Sequence, residues 1–228
     1  MLGYLDDCRL FARLRAANGD AWHDYVEHEF VTRLADGSLP DVCFRHYLGQ
    51  DYLFLIHFAR AYALAVYKSD NLADMRAAAA GMSAILDTEM ALHVDYCRGW
   101  GLDEAAMAAL PEATATMAYT RYVLEVGLQG DLLDLYVALA PCVLGYGEIG
   151  ARLTAVPATL RDGNAYGAWI DMYAGAGYQE VARAHGAALD RLWTLRAGEG
   201  RFDSLARTYG QATRLEADFW QMGLDCAG

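Results

Sequence analysis

The chain has little proline, with only four among its 228 residues, and little alternation of apolar with polar residues. Proline interrupts helices because it lacks a backbone N–H and clashes with the preceding turn, so its scarcity leaves room for long helices. Alanine- and leucine-rich stretches fill the sequence, and their apolar residues recur at steps of three and four. The sequence therefore predicts an all-α protein.

Positive charge is also scarce, since 18 Lys and Arg against 30 Asp and Glu give a net charge of -12. Proteins bind nucleic acids and anionic membranes through clusters of lysine and arginine, and the sequence contains no such cluster. We therefore expect neither a nucleic acid nor a membrane as a partner. An acidic balance of this kind mainly favours solubility.

The cysteines show no regular spacing. They are Cys8, Cys43, Cys97, Cys142 and Cys226, an odd number without a CxxC motif. Disulfide frameworks and zinc sites use closely spaced cysteines, so the sequence predicts neither of them, and it indicates no metal. Reduced thiols in a cytoplasmic protein fit this pattern best.

Segments that would direct the chain to a membrane are lacking by the usual sequence criteria. Residues 1–10 include acidic side chains where a signal peptide needs a basic start and an apolar run. We find no later stretch of about 20 apolar residues, the length that a membrane-spanning helix needs. The sequence therefore predicts neither a signal peptide nor a membrane span.

The length suits one domain, residues 1–228, with a continuous apolar core. Turn-forming residues divide the chain into about seven predicted helices that would pack as a bundle. An apolar stripe begins at Trp22 and continues through Leu34. The later helices are predicted over residues 44–67, 71–100, 113–126, 132–153, 165–197 and 202–222, and Asp103 is well placed to cap a helical segment after Gly101.

Asp51 is unusual in the predicted helix 44–67, which is apolar on nearly all sides and also carries Gln50, His57 and Arg60. A carboxylate is almost never buried without a cation, hydrogen-bond donors or a ligand beside it. Arg60 is too far along the helix axis to pair with Asp51 directly. The sequence therefore requires another cation, several donors or a ligand for Asp51.

Cys142 follows Pro141 inside an apolar helical pattern, with Tyr146 and Glu148 close behind it and glycines between them. A cysteine acts as a nucleophile only where its surroundings stabilise the thiolate and admit a substrate, and these polar and small residues could do both. The alternative is a buried, inert cysteine, which is the more frequent state of this residue type. Glutamate usually faces solvent, and we assign Glu148 no catalytic role.

Glu89 and His93 are four residues apart and share a helix face, so they could supply two metal ligands. A di-iron site would need a second set of such ligands on a later helix. His185 does not provide it, because the residue three positions before it is Ala182. A structural or interface contact is therefore our preferred interpretation of Glu89 and His93.

Several blocks of sequence together resemble one known family. The blocks are residues 50–60, with Gln50-Asp51 and Phe58-Ala59-Arg60; 89–97, with Glu89, His93 and Tyr96-Cys97; 141–146, with Pro141-Cys142 and Tyr146; and 213–220, with Thr213-Arg214, Glu216 and Phe219-Trp220. Tyr119, Tyr122, Tyr166, Trp169 and Tyr173 add further aromatic positions between these blocks. Their order and spacing over nearly the whole chain resemble the TenA family, also called thiaminase II or aminopyrimidine aminohydrolase.

The TenA resemblance implies a compact helical bundle of the haem-oxygenase-like type, assembled as a homotetramer in the cytoplasm. It also implies an enzyme of thiamine salvage, which releases ammonia from 4-amino-5-aminomethyl-2-methylpyrimidine and forms the hydroxymethylpyrimidine. Many members of the family also hydrolyse thiamine itself. The implied partner is thus a small pyrimidine, water is the second substrate, and no metal or organic cofactor is implied.

The resemblance further implies a role for each matching residue. Cys142 would be the nucleophile that adds to the ring, and Glu216 the acid and base of the reaction. Asp51 would bind the aminopyrimidine edge. The walls of the substrate pocket would be Phe54, Tyr119, Tyr146, Tyr173 and Phe219. At the position of Phe54 the family often has tyrosine, so one hydroxyl that could bond the substrate is missing.

Two other functions remain as alternatives. A non-catalytic aminopyrimidine- or thiamine-binding regulatory protein would need only Asp51 and the aromatic walls, and the presence of both Cys142 and Glu216 argues against it. A di-iron oxidase of the same bundle shape would need two sets of carboxylate and histidine ligands, and the sequence supplies too few.

Overall fold

A computed structural model of the protein describes residues 7–196 and 198–226, and these residues form helices and no strands. The helices of the first half are α1 (Arg9–Ala17), α2 (Gly19–Val26), α3 (Glu29–Asp36), α4 (Asp41–Lys68), α5 (Leu72–Ala84), α6 (Met90–Gly99) and α7 (Glu104–Ala108). Those of the second half are α8 (Thr114–Gln129), α9 (Leu132–Ala155), α10 (Gly167–Ala174), α11 (Ala176–Arg196) and α12 (Phe202–Asp225). The all-α prediction is confirmed.

Most of the long helices agree with the sequence-based expectation. The predicted helices 44–67, 113–126, 132–153 and 202–222 correspond to α4, α8, α9 and α12. The predicted helix 71–100 is also continuous, but a π-helical turn (Ile85–Glu89) joins α5 to α6 within it. Asp103 caps α7 as expected, since its carboxylate accepts a hydrogen bond from the backbone N–H of Ala106 at 2.8 Å.

Two predicted helices are interrupted in the structure. The stripe from Trp22 to Leu34 is divided between α2 and α3, because the His28 imidazole caps α3 and accepts a hydrogen bond from the Phe30 backbone N–H at 3.2 Å. The predicted helix 165–197 is divided at Gly175, where the backbone is extended between α10 and α11, and Ala197 lies outside the described residues. Apolar periodicity continues across both breaks, so it could not reveal them.

The chain divides into two compact units by its internal contacts. Unit 1 consists of Met1–Leu39 and Tyr136–Trp220, and unit 2 of Pro40–Leu135 and Gln221–Gly228. The assignment of residues 1–228 to one domain stays a prediction.

The core of unit 1 is rich in buried aromatic side chains. Trp220 of α12 stacks on Phe30 of α3, with ring centroids 5.0 Å apart and planes inclined by 15°. Trp22 of α2 stacks on Tyr209 of α12 at 5.9 Å. Full burial of one such ring contributes about 1.5–3 kcal/mol. These contacts therefore fasten α2 and α3 to α12.

The centre of unit 2 is α4, a 28-residue helix with buried side chains on most of its faces. Gln50 is polar but fully satisfied within it. Its Oε1 accepts hydrogen bonds from the Ala113 backbone N–H and the Thr116 hydroxyl, both at 2.8 Å, and its Nε2 donates to the Pro111 carbonyl at 3.0 Å. Gln50 thereby attaches the beginning of α8 to α4.

The expectation that the cysteines form no disulfide was wrong for one pair. Cys43 and Cys226 form a disulfide in unit 2, and their Cα atoms are 5.0 Å apart, as disulfide geometry requires. Their separation of 183 positions in the sequence hides this pairing from any argument based on local spacing. Cys8, Cys97 and Cys142 are buried thiols.

The expectation that no segment has the composition of a membrane span was also wrong. Helix α9 is long and apolar enough to cross a bilayer, although 89% of its most apolar window is buried within the protein. Core helices pass the same test of length and composition. The expectation about a signal peptide concerns residues 1–10, of which residues 1–6 lie outside the described part of the chain.

Gly150 of α9 packs directly against α10. A Cβ at this position would lie 2.5 Å from the Tyr173 carbonyl carbon and 2.6 Å from the Ala174 nitrogen, and backbone atoms cannot move aside easily. Gly150→Ala should therefore lower the free energy of unfolding by about 1–3 kcal/mol, as measured by urea denaturation.

Gly177→Ala in α11 is the matched control for Gly150→Ala. No atom lies within 4 Å of a Cβ built at Gly177, so this variant should be neutral or stabilised by about 0.5 kcal/mol, because alanine favours the helix. Equal unfolding free energies for the two variants would contradict the proposed close packing of α9 on α10.

Candidate active site

Cys142 lies within α9, directly after Pro141, and is 8% exposed. The Tyr25 hydroxyl of α2 donates a hydrogen bond to the Pro141 carbonyl at 3.3 Å. The Tyr25 ring occupies the space that a side chain at Gly145 would need. Gly145 thus allows α2 to approach α9 closely, and the hydrogen bond of Tyr25 links α2 to the helix segment that carries Cys142.

Four aromatic side chains pack around the turn of α9 that follows Cys142. The centroid of the Tyr146 ring lies 4.8 Å from that of Tyr173, 5.2 Å from that of Trp220 and 5.8 Å from that of Trp169. These four residues form what we call the aromatic cluster. It brings together two of the predicted pocket residues, Tyr146 and Tyr173, with two tryptophans to which the sequence analysis gave no role.

Glu216 is buried in α12, one turn before Trp220, and shares a helix face with it. Tyr146 is one turn after Cys142 and shares a face of α9 with it. Because the Trp220 and Tyr146 rings are in contact, the face of α12 that carries Glu216 packs against the face of α9 that carries Cys142. Phe219, the other predicted pocket residue of α12, is also buried in unit 1.

Glu148 does not face solvent, which corrects the sequence-based expectation. Its side chain is only 19% exposed and accepts hydrogen bonds from Arg15 Nη1 at 3.3 Å and from Trp22 Nε1 at 3.4 Å. Burial, followed by the charge of Glu148, raises the pKa of Tyr209 well above its usual value. Glu148 therefore links α9 to α1 and α2 within unit 1, which is a structural role.

In unit 2, Asp51 is 3% exposed and receives two hydrogen bonds on the same oxygen. The Tyr47 hydroxyl, one turn earlier on α4, donates to Asp51 Oδ2 at 2.9 Å, and His93 Nε2 of α6 lies 2.6 Å from that oxygen. His93 Nδ1 lies 2.8 Å from the Glu89 carbonyl oxygen. Both ring nitrogens thus face acceptors, and only the imidazolium can donate from both.

The protonated state of His93 follows from its surroundings. Burial by itself lowers the pKa of His93, but the charge of Asp51 and the hydrogen bonds to Asp51 and the Glu89 carbonyl outweigh this effect and raise it. Asp51 and His93 are therefore a buried ion pair. Of the three kinds of partner expected for Asp51, a cation, several donors or a ligand, His93 is a cation and Tyr47 adds a donor. Arg60 lies beside His57 instead, with Arg60 Nη1 and His57 Nδ1 3.0 Å apart.

The sequence analysis missed His93 as the partner of Asp51. The two residues are 42 positions apart, and no local spacing connects them. The preference for a structural contact at Glu89 and His93 agrees with the structure, although the contact uses the backbone carbonyl of Glu89. A histidine within a predicted buried helix, in a protein with an unpaired buried aspartate elsewhere, was the signal that could have found the pair.

Phe54 and Tyr119, two of the predicted pocket residues, lie together in unit 2. Phe54 is one turn after Asp51 on α4, and its ring centroid is 5.0 Å from that of Tyr119 on α8. Phe58 also stacks on Phe54, with ring centroids 5.3 Å apart. A phenylalanine at this position therefore continues an apolar aromatic row.

The di-iron alternative requires several metal-ligating side chains close together. Within residues 7–196 and 198–226, no group of three or more His, Cys, Asp or Glu side chains is placed to hold a metal ion. The described residues therefore offer no ligand set for a di-iron centre.

The described residues form an all-α fold that buries the side chains of Cys142, Glu216 and Asp51 together with many aromatic side chains. The sequence model of the TENA/THI-4/PQQC family matches residues 16–226. The chain belongs to this family.

Several relatives cover most of the chain. The aminopyrimidine aminohydrolases of Halalkalibacterium halodurans and Helicobacter pylori are 35% and 30% identical, each over 88% of this chain and over 89% and 92% of their own lengths. A TenA family transcription regulator from Silicibacter sp. TM1040, whose structure is solved, is 47% identical in sequence to this chain. The two structures match with a TM-score of 0.89 over 95% of this chain and 96% of that chain. The two aminohydrolases support an enzyme of the TenA family, and the solved structure supports the all-α fold.

Tyr47 donates to a buried charge, so the loss of its hydroxyl should be costly. We expect Tyr47→Phe to lower the free energy of unfolding by about 1–3 kcal/mol, because hydrogen bonds to charged groups are strong. Tyr67→Phe, on the same helix but 84% exposed, is the control and should change it by less than about 0.5 kcal/mol. Chemical denaturation near neutral pH measures both, and equal small effects would refute the bond to Asp51.

Proposed function

We propose that this protein is an aminopyrimidine aminohydrolase, which hydrolyses 4-amino-5-aminomethyl-2-methylpyrimidine to the hydroxymethylpyrimidine and ammonia. The observation that carries the proposal is that relatives with this name are 30% and 35% identical over 88% of the chain. The residues to which the TenA resemblance assigns the chemistry, Cys142, Glu216 and Asp51, are all present and buried. Burial suits them, because electrostatic interactions are stronger where water is excluded.

The first half of the proposed reaction removes the amine. The Cys142 thiolate adds to the ring carbon beside the substituted one, forming an S–C bond while a ring nitrogen takes up a proton. The added electron density expels the amine from the methylene group. Glu216 donates a proton as the C–N bond breaks, so that ammonia leaves as a neutral molecule.

The second half of the reaction adds water. The exocyclic methylene is now electrophilic, and water attacks it while Glu216 takes the proton back. The S–C bond then breaks, the ring nitrogen loses its proton and the aromatic ring is restored. One water is consumed and one ammonia released, so no oxidant or reductant is needed. Tyr146 lies one turn from Cys142, and Trp220 lies one turn from Glu216. The contact between the Tyr146 and Trp220 rings therefore supports the joint action of Cys142 and Glu216.

Substrate recognition follows from the same set of residues. In the proposal, Asp51 accepts a hydrogen bond from the amine on the pyrimidine edge. A flat heterocycle is also held by aromatic faces and phenolic hydroxyls, which Tyr119, Tyr146, Tyr173 and Phe219 would supply, with Phe54 as an apolar wall. Thiamine contains the same pyrimidine with a different leaving group, so we propose it as a second substrate of the same steps.

A non-catalytic regulatory protein is the second candidate function. It is favoured by the 47% identical relative that is described as a TenA family transcription regulator. A regulator would bind the pyrimidine without turnover and would need neither Cys142 nor Glu216. Mass spectrometry of the products after incubation with the aminomethylpyrimidine, and separately with thiamine, distinguishes the two. Release of ammonia and hydroxymethylpyrimidine supports the hydrolase, and recovery of unchanged substrate supports the regulator.

Replacement of the proposed nucleophile should stop turnover and leave binding intact. We expect Cys142→Ser to reduce ammonia release by at least about a hundredfold, because a hydroxyl is a far weaker nucleophile, while pyrimidine affinity changes little. Cys97→Ser, which alters a buried thiol of α6, is the matched control and should retain turnover. Ammonia release at the original rate in Cys142→Ser would remove the covalent mechanism.

Replacement of the proposed binding carboxylate should weaken affinity. We expect Asp51→Asn to bind the hydroxymethylpyrimidine about 10- to 100-fold more weakly by calorimetry, since a charge-assisted hydrogen bond becomes a neutral one. Asp95→Asn, on the exposed side of α6, should keep the original affinity. An unaltered affinity in Asp51→Asn would refute the assigned role of Asp51.

A further inference from the structure

His93 has no part in the reaction steps above, yet it is fully buried and both of its ring nitrogens are bonded. Nε2 lies 2.6 Å from Asp51 Oδ2, and Nδ1 lies 2.8 Å from the Glu89 carbonyl oxygen. Burying a charged side chain costs free energy even when it is paired. An apolar residue of similar volume would therefore fill this position at a lower cost in folding stability. This arrangement calls for a role beyond packing.

The Glu89 carbonyl lies one helical turn before His93, on the same face of the helix. Glu89 is the last residue of the π-helical turn Ile85–Glu89, and α6 begins at the next residue. The side chain of His93 therefore reaches back to a carbonyl of the preceding turn. This bond orients the ring with Nε2 toward Asp51.

The hydrogen bonds that described residues make to Asp51 both end on one oxygen. Tyr47 and His93 bond to Oδ2, so Oδ1 remains for another donor. The rotation of the carboxylate is fixed by these two donors, one from α4 and one from α6. A ligand amine would therefore meet an oxygen whose position is already set, which reduces the entropy lost on binding.

We propose that His93 is a positioning residue of the pyrimidine site, whose imidazolium bonds Asp51 Oδ2 and directs Oδ1 toward the amine of the pyrimidine. This inference rests on the proposed function, because it assigns His93 to the same binding step. The titratable and charged groups that face His93 are Asp51 and Tyr47 from α4 and Glu89 from the adjoining π-helical turn.

A second buried histidine shows that burial alone does not produce this state. His185 in unit 1 is bonded through Nε2 to the Tyr136 carbonyl at 3.0 Å, and no carboxylate within residues 7–196 and 198–226 pairs with it. Burial lowers the pKa of His185 to about 4, so it is neutral near pH 7. In His93 the carboxylate of Asp51 reverses the effect of burial, and the pKa is raised.

The proposal predicts a change in the pH dependence of binding. The pKa of His93 is raised, so the imidazolium is present at neutral pH and holds Asp51 in place. Rising pH would remove the proton of His93, and the wild type would then lose its advantage over a variant that lacks the imidazolium. A residue that only filled space would instead weaken binding equally at every pH.

Calorimetry with the hydroxymethylpyrimidine, the product that is not consumed, tests this prediction between about pH 6 and 9. We expect His93→Leu to bind at least about tenfold more weakly than the wild type at the acidic end and to approach it at the alkaline end. His93→Gln, which keeps a donor without the charge, should lie between them. His185→Leu is the control, and its affinity relative to the wild type should not vary with pH.

A constant ratio of affinities between His93→Leu and the wild type at all pH values would overturn the role of His93. A folded wild-type protein that does not bind the pyrimidine would instead overturn the proposed function, which is a separate result. If His93→Leu does not fold, the pairing of His93 with Asp51 can still be tested by a measurement without ligand. In NMR titrations, His93 should stay protonated above the pH at which it titrates in Asp51→Asn, and coincident titrations would overturn the proposal.

Discussion

The arrangement depends most on the buried ion pair between Asp51 and His93. Helix α4 is so apolar that an aspartate within it requires compensation, and the structure provides it from α6 and from Tyr47 one turn earlier. The π-helical turn between α5 and α6 contributes the second acceptor for His93. Both donors use the same oxygen of Asp51. The pair therefore stabilises a charge in the core, and in the proposed function it also holds that charge in a fixed orientation for the pyrimidine.

Unit 1 meets a different requirement, which is to hold a thiol and a carboxyl group on packed helices. Gly145 allows Tyr25 to approach α9, and the contact of Tyr146 with Trp220 joins α9 to α12. Buried aromatic side chains pack around this part of α9. Membership of the TENA/THI-4/PQQC family and the aminohydrolase relatives give this arrangement its chemical interpretation.

The parts predicted from sequence are those that depend on local patterns. Long helices such as α4, α8, α9 and α12 follow from apolar periodicity, and the cap at Asp103 from residue type. The breaks at His28 and Gly175 are invisible to periodicity, because a side-chain cap and an extended residue interrupt the chain without changing its apolar pattern. The disulfide of Cys43 with Cys226 joins distant parts of the sequence. The same holds for the candidate site. The sequence predicts that Asp51 needs a cation, several donors or a ligand, but only three-dimensional contacts identify His93 and Tyr47 as its partners.

A crystal structure of the protein with bound hydroxymethylpyrimidine would show whether Asp51, held by His93, binds the pyrimidine. We expect the amine of the pyrimidine to lie within hydrogen-bond distance of Asp51 Oδ1, while Oδ2 keeps its bonds to Tyr47 and His93. A pyrimidine bound away from Asp51, or one that displaces His93 from Oδ2, would contradict it.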